Sequence, residues 1–193
     1  MSGGVQVSGF DLDGPLLFTP RVHVDDRGYF LELWRRDQYR ALGLDADFLQ
    51  MNASRSRRGT LRGLHFQRAP HAQGKLVSVA RGSVIDVAVD LRRGSSSYGR
   101  HVKTVLDDQA HAQLWVPRGF AHGFLALSEL ADVVYQVDSA HAAAAEGGVR
   151  WDDPDLAIDW ELEQRLGRAS PLTSPRDAAL PLLADGFTPL AVD

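Results

Sequence analysis

Cysteine is missing from all 193 residues of the chain. Disulfide bonds and thiolate catalysis are therefore excluded, and the absence favours a reducing, intracellular environment. No apolar run approaches the roughly 20 residues needed to cross a bilayer. The opening stretch, MSGGVQVSGFDLDGP, has no basic segment followed by an apolar one, so it does not have the pattern of an export signal. These absences predict a soluble, cytoplasmic protein.

Neither sign of charge is in large excess. The chain has 21 Lys and Arg against 25 Asp and Glu, which gives a net charge of -4. So small an excess gives no general attraction to nucleic acids or membranes, and neither is an expected partner. Any anion binding must depend on a local cluster of cations. The length suits one domain over residues 1–193 with a substantial core.

Short apolar segments separated by turns recur through most of the chain. Early strands are predicted within residues 5–24, and a helix is predicted over residues 33–44, ended by Gly43. Later segments follow one another at intervals of roughly 10 to 15 residues, which is typical of an antiparallel sandwich or barrel. Strands are predicted at residues 75–80, 84–90, 101–106, 112–116, 122–127 and 132–137.

Two details refine this all-β prediction. Gly82 lies between the first two strands of that series and is a hairpin signature. Within residues 84–90, alternation places three aliphatic residues on one face and Asp86, Ala88 and Asp90 on the other. A barrel interior with selected polar groups suits ligand binding. From about residue 150 the chain is rich in Pro and Asp, and we expect it to wrap the barrel.

The stretch RGTLRGLHFQ places three polar side chains, Arg62, His65 and Gln67, among apolar residues. It could be a phosphate grip, a metal site, a catalytic base or a salt-bridged strand end, and His65 alone could be a core histidine. A second histidine, His122, begins a strand after a Pro-x-Gly turn in PRGFAHGF. That arrangement aims His122 into the mouth of a barrel. Two such histidines beside glycines are poorly explained as core filler.

A metal site does not suit this pattern. Barrels that hold a divalent ion with histidines and a carboxylate need a second histidine and an acid close to the first. After His65 the sequence continues FQR, and His71 lies on a Pro-rich loop. Arg62 and Arg68 would also repel a cation. We therefore expect no metal and no other cofactor.

Acid–base chemistry beside an anion is the alternative. Arg62 and Lys75 flank His65, and Arg27 lies in DDRGYFLE, so converging cations could bind a phosphate or a developing enolate. Each arginine taken alone is better explained as a solvated surface charge. Tyr135 lies on one face of its strand and, if inward, could donate a proton opposite His65. Taken alone, it is better explained as a core tyrosine bonded to the backbone.

Taken together, these residues resemble the dTDP-4-dehydrorhamnose 3,5-epimerase family, over about residues 10 to 180. The resemblance implies a jelly-roll, cupin-like β-barrel with a few short helices that forms a metal-free homodimer. It implies a dTDP-4-keto-6-deoxyhexose substrate inverted at C3 and C5. The motifs that carry it are RGYFLE, LQMNAS, RGTLRGLHFQ, KLVSVARGSVIDVAVDLRRGS, WVPRGFAHGF, VVYQV and WDDPDLAIDW.

By the same resemblance, His65 is the general base, paired with Asp177, and Tyr135 is the general acid. The family exchanges N-terminal strands within its dimer, which places Arg27 and Glu32 at the neighbour's site. The glycine and leucine between Arg62 and His65 are expected to let the ligand approach and to anchor the strand. The substrate-contacting positions are Arg27, Glu32, Gln50, Asn52, Arg62, Lys75, His122, His141, Glu146 and Arg176.

One position departs from the family pattern. His141 stands six residues after Tyr135, where the family has a second tyrosine that stacks on thymine. An altered rim leaves a C3-only epimerase as a close alternative. A metal-dependent cupin oxygenase and a non-catalytic sugar-nucleotide binding module are the alternatives from other classes.

Overall fold

The computed structural model describes residues 4–191. Two short stretches lie outside that range. They are residues 1–3, the start of the stretch assessed for an export signal, and residues 192–193, the end of the segment predicted to wrap the barrel. Among the described residues, no helix is long and apolar enough to cross a membrane. The strands are β1 (Val5–Phe10), β2 (Leu12–Pro20), β3 (His23–Asp25), β4 (Gly28–Phe30), β5 (Gln50–Arg57), β6 (Leu61–Gln67), β7 (Lys75–Arg81), β8 (Ser83–Asp90), β9 (His101–Asp107), β10 (Gln113–Val116), β11 (Phe120–Ala126), β12 (Leu130–Val137) and β13 (Glu146–Gly148), and the α-helices are α1 (Arg36–Ala41), α2 (Leu162–Leu166) and α3 (Pro175–Ala178).

Two antiparallel sheets form the body of the fold. The larger has the strand order β1-β2-β10-β7-β12-β5, and the smaller has the order β13-β6-β11-β8-β9. Side chains from both sheets meet in one core, in which Val77 and Val133 of the larger sheet pack with Ala88 and Phe124 of the smaller. This arrangement confirms the predicted all-β, jelly-roll and cupin-like architecture with few short helices.

The predicted hairpin at Gly82 is wrong. Strand β7 pairs with β10 and β12, whereas β8 pairs with β9 and β11, so the two strands belong to different sheets. Gly82 has a φ of +78°. A Cβ atom there would lie 2.3 Å from the carbonyl oxygen of Leu130. The glycine therefore serves a tight corner between sheets, and the local sequence of such a corner resembles that of a hairpin turn.

The predicted helix over residues 33–44 is shorter in the structure. Helix α1 covers only Arg36–Ala41, and Arg35 before it is extended, with φ -147° and ψ 122°. Trp34 packs against the rings of Tyr39 and Phe48, at centroid distances of 4.6 and 4.7 Å. Packing of this extended segment outweighs its helical propensity. Gly43 follows the helix with a φ of +100°, as the predicted end requires.

Strand β8 is buried on both faces, with the alternation that its sequence predicts. Ala88 contacts the core between the sheets, and the fully buried Asp86 lies on the same face. The aliphatic face packs against the segment that follows residue 148. That second core contains Ile85, Val87 and Val89 together with Val149, Leu156, Trp160 and Leu190.

Candidate active site

A cleft with two lobes opens between the sheets. Three side chains line both lobes: His65 of β6, and Lys75 and Tyr135 of β7 and β12. The larger lobe has a volume of about 560 Å³ and the smaller about 280 Å³. Of the other predicted positions, Arg62, His122, Arg176 and Asp177 line the larger lobe, and Gln50, Asn52, His141 and Glu146 line the smaller.

A bulge in β6 explains how Arg62 and His65 share this cleft. Residues an odd number of positions apart normally point to opposite faces of a strand. Here His122 of β11 pairs with His65, and Phe124 pairs with Arg62, so two steps on β11 match three on β6. The extra residue restores the register and turns both polar side chains inward. The bulge therefore brings together the residues that the sequence motif singled out.

The glycine of this bulge allows two strands to pack closely, and its expected role in letting the ligand approach stays a prediction. A Cβ atom on Gly63 would lie 2.6 Å from the carbonyl oxygen of His122 and 2.7 Å from the Cα atom of Gly123. Because Gly63 and Gly123 have no side chains, β6 and β11 can approach each other closely. The other half of the expectation is confirmed, because Leu64 is fully buried and anchors the strand.

His65 is paired with Asp177, which α3 carries. Their Nε2 and Oδ1 atoms are 2.6 Å apart. Ser174 caps α3 by accepting a hydrogen bond from the backbone N–H of Asp177 at 3.0 Å. Burial raises the pKa of the Asp177 carboxyl, but the bonds from His65 and Ser174 outweigh it and hold this pKa below its ordinary value. The ionised carboxylate accepts a hydrogen bond from the Nε2–H group of His65. The unprotonated Nδ1 atom is therefore the basic nitrogen of the ring.

Tyr135 lies in the sheet opposite His65. Its neighbours Val133 and Val137, on the same face of β12, are fully buried, so this face points inward as predicted. Burial raises the pKa of the Tyr135 phenol, Arg62 opposes the shift and Glu146 adds to it. The net shift is upward, so the phenol stays protonated at neutral pH. A protonated phenol opposite a base is suited to donating a proton.

Lys75 is a buried cation that reaches across the cleft. Its Nζ atom lies 3.5 Å from the carbonyl oxygen of His65. Burial lowers the pKa of Lys75 to about 8, while the charges of Asp86 and Glu146 partly oppose the decrease. The side chain is therefore still mainly an ammonium at pH 7. A positive charge is thus held within the cleft, next to the backbone of His65.

The remaining predicted groups of the cleft are held by hydrogen bonds and ion pairs. His122 Nε2 contacts both carboxylate oxygens of the fully buried Asp86, at 3.0 and 3.1 Å. Arg176 forms an ion pair with Glu146 at 2.8 Å. Arg62 donates from Nε to the hydroxyl of Ser56 at 3.0 Å. Gln50 donates to the side-chain oxygen of Asn52 at 2.8 Å, so these two amides are oriented together.

Sequence comparisons decide the family. Residues 10–185 match the family model described as dTDP-4-dehydrorhamnose 3,5-epimerase. The chain belongs to this family. The epimerase of Methanothermobacter thermautotrophicus is 47% identical over 152 residues, which cover 79% of this chain and 82% of that protein.

Solved structures agree with this epimerase assignment. A dTDP-6-deoxy-D-glucose-3,5-epimerase from Legionella pneumophila, in complex with dTDP-4-keto-L-rhamnose, has a TM-score of 0.87 and 40% identity, with 93% of each chain covered. A 3'-monoepimerase from Streptomyces bikiniensis, in complex with dTDP-quinovose, has a TM-score of 0.83 and 35% identity, covering 91% of this chain and 86% of that one.

Two predicted contacts of this epimerase-family chain lie outside its own cleft. Arg27 is in the turn between β3 and β4, where its side chain is 90% exposed and bonds Asp25 at 2.6 Å. Glu32, just after β4, pairs with Arg35 at 3.4 Å. Neither lines either lobe of the cleft. The predicted service of Arg27 and Glu32 to a neighbour's site stays a prediction.

Several polar residues of the cleft were not singled out from the sequence. They are Ser54, Thr60, Thr173 and Ser174 in the larger lobe and Gln73 in the smaller. The hydroxyl of Ser54 is the one buried side-chain polar atom without a hydrogen-bond partner among residues 4–191. Ser54 lines the larger lobe. Gln50, Asn52, Ser54 and Ser56 alternate along β5, so the inward row of polar residues is a signal that period-two counting finds.

Proposed function

We propose that this protein is an epimerase that inverts C3 and C5 of a dTDP-4-keto-6-deoxyhexose in deoxysugar biosynthesis. One observation carries the proposal: His65, which is paired with Asp177 of α3, lies on β6 in one sheet wall of the cleft, and Tyr135 lies on β12 in the opposite wall. Inversion of a carbon needs a base on one face of the sugar ring and an acid on the other. Opposite sheets supply those two groups.

Proton removal is the first step of the mechanism. The C4 ketone acidifies the hydrogens on C3 and C5, because the carbanion is delocalised as an enolate. Nδ1 of His65 takes the proton, and the carboxylate of Asp177 stabilises the resulting imidazolium through Nε2. The ammonium of Lys75, which lies 3.5 Å from the carbonyl oxygen of His65, stabilises the enolate oxygen.

Proton return completes each inversion. Tyr135 donates its phenolic proton to the face of the enolate opposite His65, and the ketone re-forms. The other polar residues of the cleft are proposed to bind the sugar, the diphosphate and the base of the substrate. They are Arg62, His122, Arg176, Glu146, Gln50, Asn52 and His141. No metal or other cofactor takes part in these proton transfers as we propose them.

The pH dependence of activity should reveal Lys75. Because its pKa is lowered to about 8, the ammonium loses its charge as the pH rises through that value. We expect kcat/KM to fall about tenfold per pH unit above pH 8. Initial rates from pH 6 to 10 measure this, and Lys75→Arg should move the fall to higher pH. An unchanged alkaline limb in Lys75→Arg would exclude this role for Lys75.

Proton NMR in deuterium oxide tests the proposed reaction with dTDP-4-keto-6-deoxyglucose. Deuterium at both C3 and C5, with an inverted product, is the expected result. Deuterium at C3 alone would identify a C3-only epimerase, a second candidate supported by the similarity to the S. bikiniensis monoepimerase. Binding without any deuterium would support a binding module, and an equivalent of bound iron would support an oxygenase.

A homodimer is the proposed assembly of this single epimerase domain. The β3–β4 hairpin and β5 expose large apolar side chains, among them Val24, Phe30 and Met51 at 78%, 72% and 64%. Large apolar side chains exposed to this degree favour association. Light scattering should give twice the chain mass of 21.2 kDa. A single-chain mass at micromolar concentration would contradict this assembly.

A further inference from the structure

The loop between β12 and β13 forms part of the rim of the smaller lobe. We call residues 138–142 the rim loop; it contains Asp138, Ser139, Ala140, His141 and Ala142. His141 is exposed and lines the smaller lobe. Three of its five residues are Ser or Ala, so the loop has few side chains with which to fix its own shape. Groups outside the loop must therefore determine where His141 lies.

Gln67, at the end of β6, uses its whole amide to hold this loop. The side chain is buried, and its residue is 5% exposed. Its Nε2 atom donates to the carbonyl oxygens of Ala140 at 3.2 Å and His71 at 2.8 Å. Its Oε1 atom accepts from the backbone N–H of Ala142 at 2.8 Å. One side chain thus contacts the backbone on both sides of His141.

Two further glutamines contact the backbone of the rim loop, one at Ser139 and the other at His141. Gln73 donates from Nε2 to the carbonyl oxygen of Ser139 at 2.6 Å. Gln50 accepts at Oε1 from the backbone N–H of His141 at 3.1 Å. At the start of the loop, Asp138 accepts from the backbone N–H of Gly74 at 2.7 Å. The backbone of residues 138–142 is therefore fixed by side chains from three different segments.

We propose that Gln67 and Gln73, with Gln50, are positioning residues that hold the rim loop in the shape that receives the nucleotide half of the substrate. The inference rests on the proposed function, because dTDP is the ligand that the loop would meet. A preorganised loop binds more tightly, since ordering it costs no further free energy on binding. Loosening the loop should weaken nucleotide binding and leave proton transfer by His65 and Tyr135 unaffected.

The variants Gln67→Met and Gln73→Ala test this proposal. Gln67→Met keeps the length of the side chain and removes all three hydrogen bonds of the amide. We expect the Kd for dTDP and the KM for dTDP-4-keto-6-deoxyglucose to rise about tenfold in Gln67→Met and about threefold in Gln73→Ala. The kcat for deuterium incorporation should stay within about twofold of the unmodified protein. Calorimetry with dTDP and NMR in deuterium oxide provide the two readings.

Ser97→Ala is the matched control. Ser97 is 6% exposed and donates to Asp90 at 2.6 Å, so this variant also loses a buried hydrogen bond, but away from the cleft. It should lower Tm without changing the Kd for dTDP. A dTDP Kd within twofold of normal in both glutamine variants, or an equal rise in Ser97→Ala, would overturn the proposal. A fall in kcat with unchanged KM would do the same.

Failure of this proposal is distinguishable from failure of the proposed function. If the unmodified protein binds dTDP and incorporates deuterium while the glutamine variants match it, only the positioning role is lost. If the unmodified protein binds no dTDP, both are wrong. If Gln67→Met does not fold, Gln73→Ala decides the matter, because its single bond lies in a partly buried site.

Discussion

Replacing His65 with asparagine should lower deuterium incorporation at both C3 and C5 by about a thousandfold or more. General bases commonly contribute about 10² to 10⁴-fold, and here the same imidazole serves both carbons. Asparagine retains a polar group that can contact Asp177, so the cleft should keep its shape. Rates of deuterium incorporation by NMR, at saturating substrate, measure the loss.

His71→Asn is the control for this prediction. His71 is exposed and lies on the loop after β6, outside the residues that line the cleft. The His71→Asn variant should exchange the C3 and C5 protons of the substrate at the rate of the unmodified protein. Deuterium incorporation by His65→Asn at a rate within tenfold of the unmodified protein would show that another group is the base. Loss at only one of the two carbons would show that each carbon has a base of its own.

Replacing Tyr135 with phenylalanine should separate exchange from inversion. The phenol is lost, but His65 and Asp177 remain, so proton removal and return on the same face should continue. We expect product formation to fall at least about a hundredfold while solvent deuterium still enters the substrate. NMR of one sample gives both numbers, because the inverted carbons and the unreacted substrate have different coupling patterns.

The outcome of the Tyr135→Phe experiment identifies the proton donor. Inversion at a rate close to normal would assign reprotonation to another group or to water. Equal loss of exchange and inversion would mean that the phenol is needed for proton removal, as a group that orients the substrate. Retained exchange with lost inversion is the one pattern that the opposed positions of His65 and Tyr135 predict.

Local sequence predicted the strands well and their partners poorly. The alternation in β8 and the apolar spacing of β7 to β12 depend on a residue and its close neighbours, so they can be counted in the sequence. The corner at Gly82 was mistaken for a hairpin, because a glycine with positive φ serves both. Which sheet a strand joins depends on contacts with distant residues, and the turn itself does not encode them.

In the candidate active site, too, local features could be predicted from the sequence and contacts between distant residues could not. The motifs around His65 and His122 indicated polar groups directed into a barrel, and β6 and β11 do pair those two residues. The partner of His65 lies 112 positions away, and only the family resemblance pointed to Asp177. The bulge at Gly63 could not be predicted, since simple alternation would separate Arg62 from His65. The roles of Gln67 and Gln73 depend on backbone atoms of a loop whose path the sequence does not state.

A crystal structure of the protein with bound dTDP-glucose would test the central claim most directly. The account predicts a hexose ring between β6 and β12. Nδ1 of His65 should lie about 3.5 Å from C3 or C5 on one face of the ring, with the Tyr135 hydroxyl on the other face. A hexose bound outside this cleft, or with both side chains on the same face of the ring, would contradict the account.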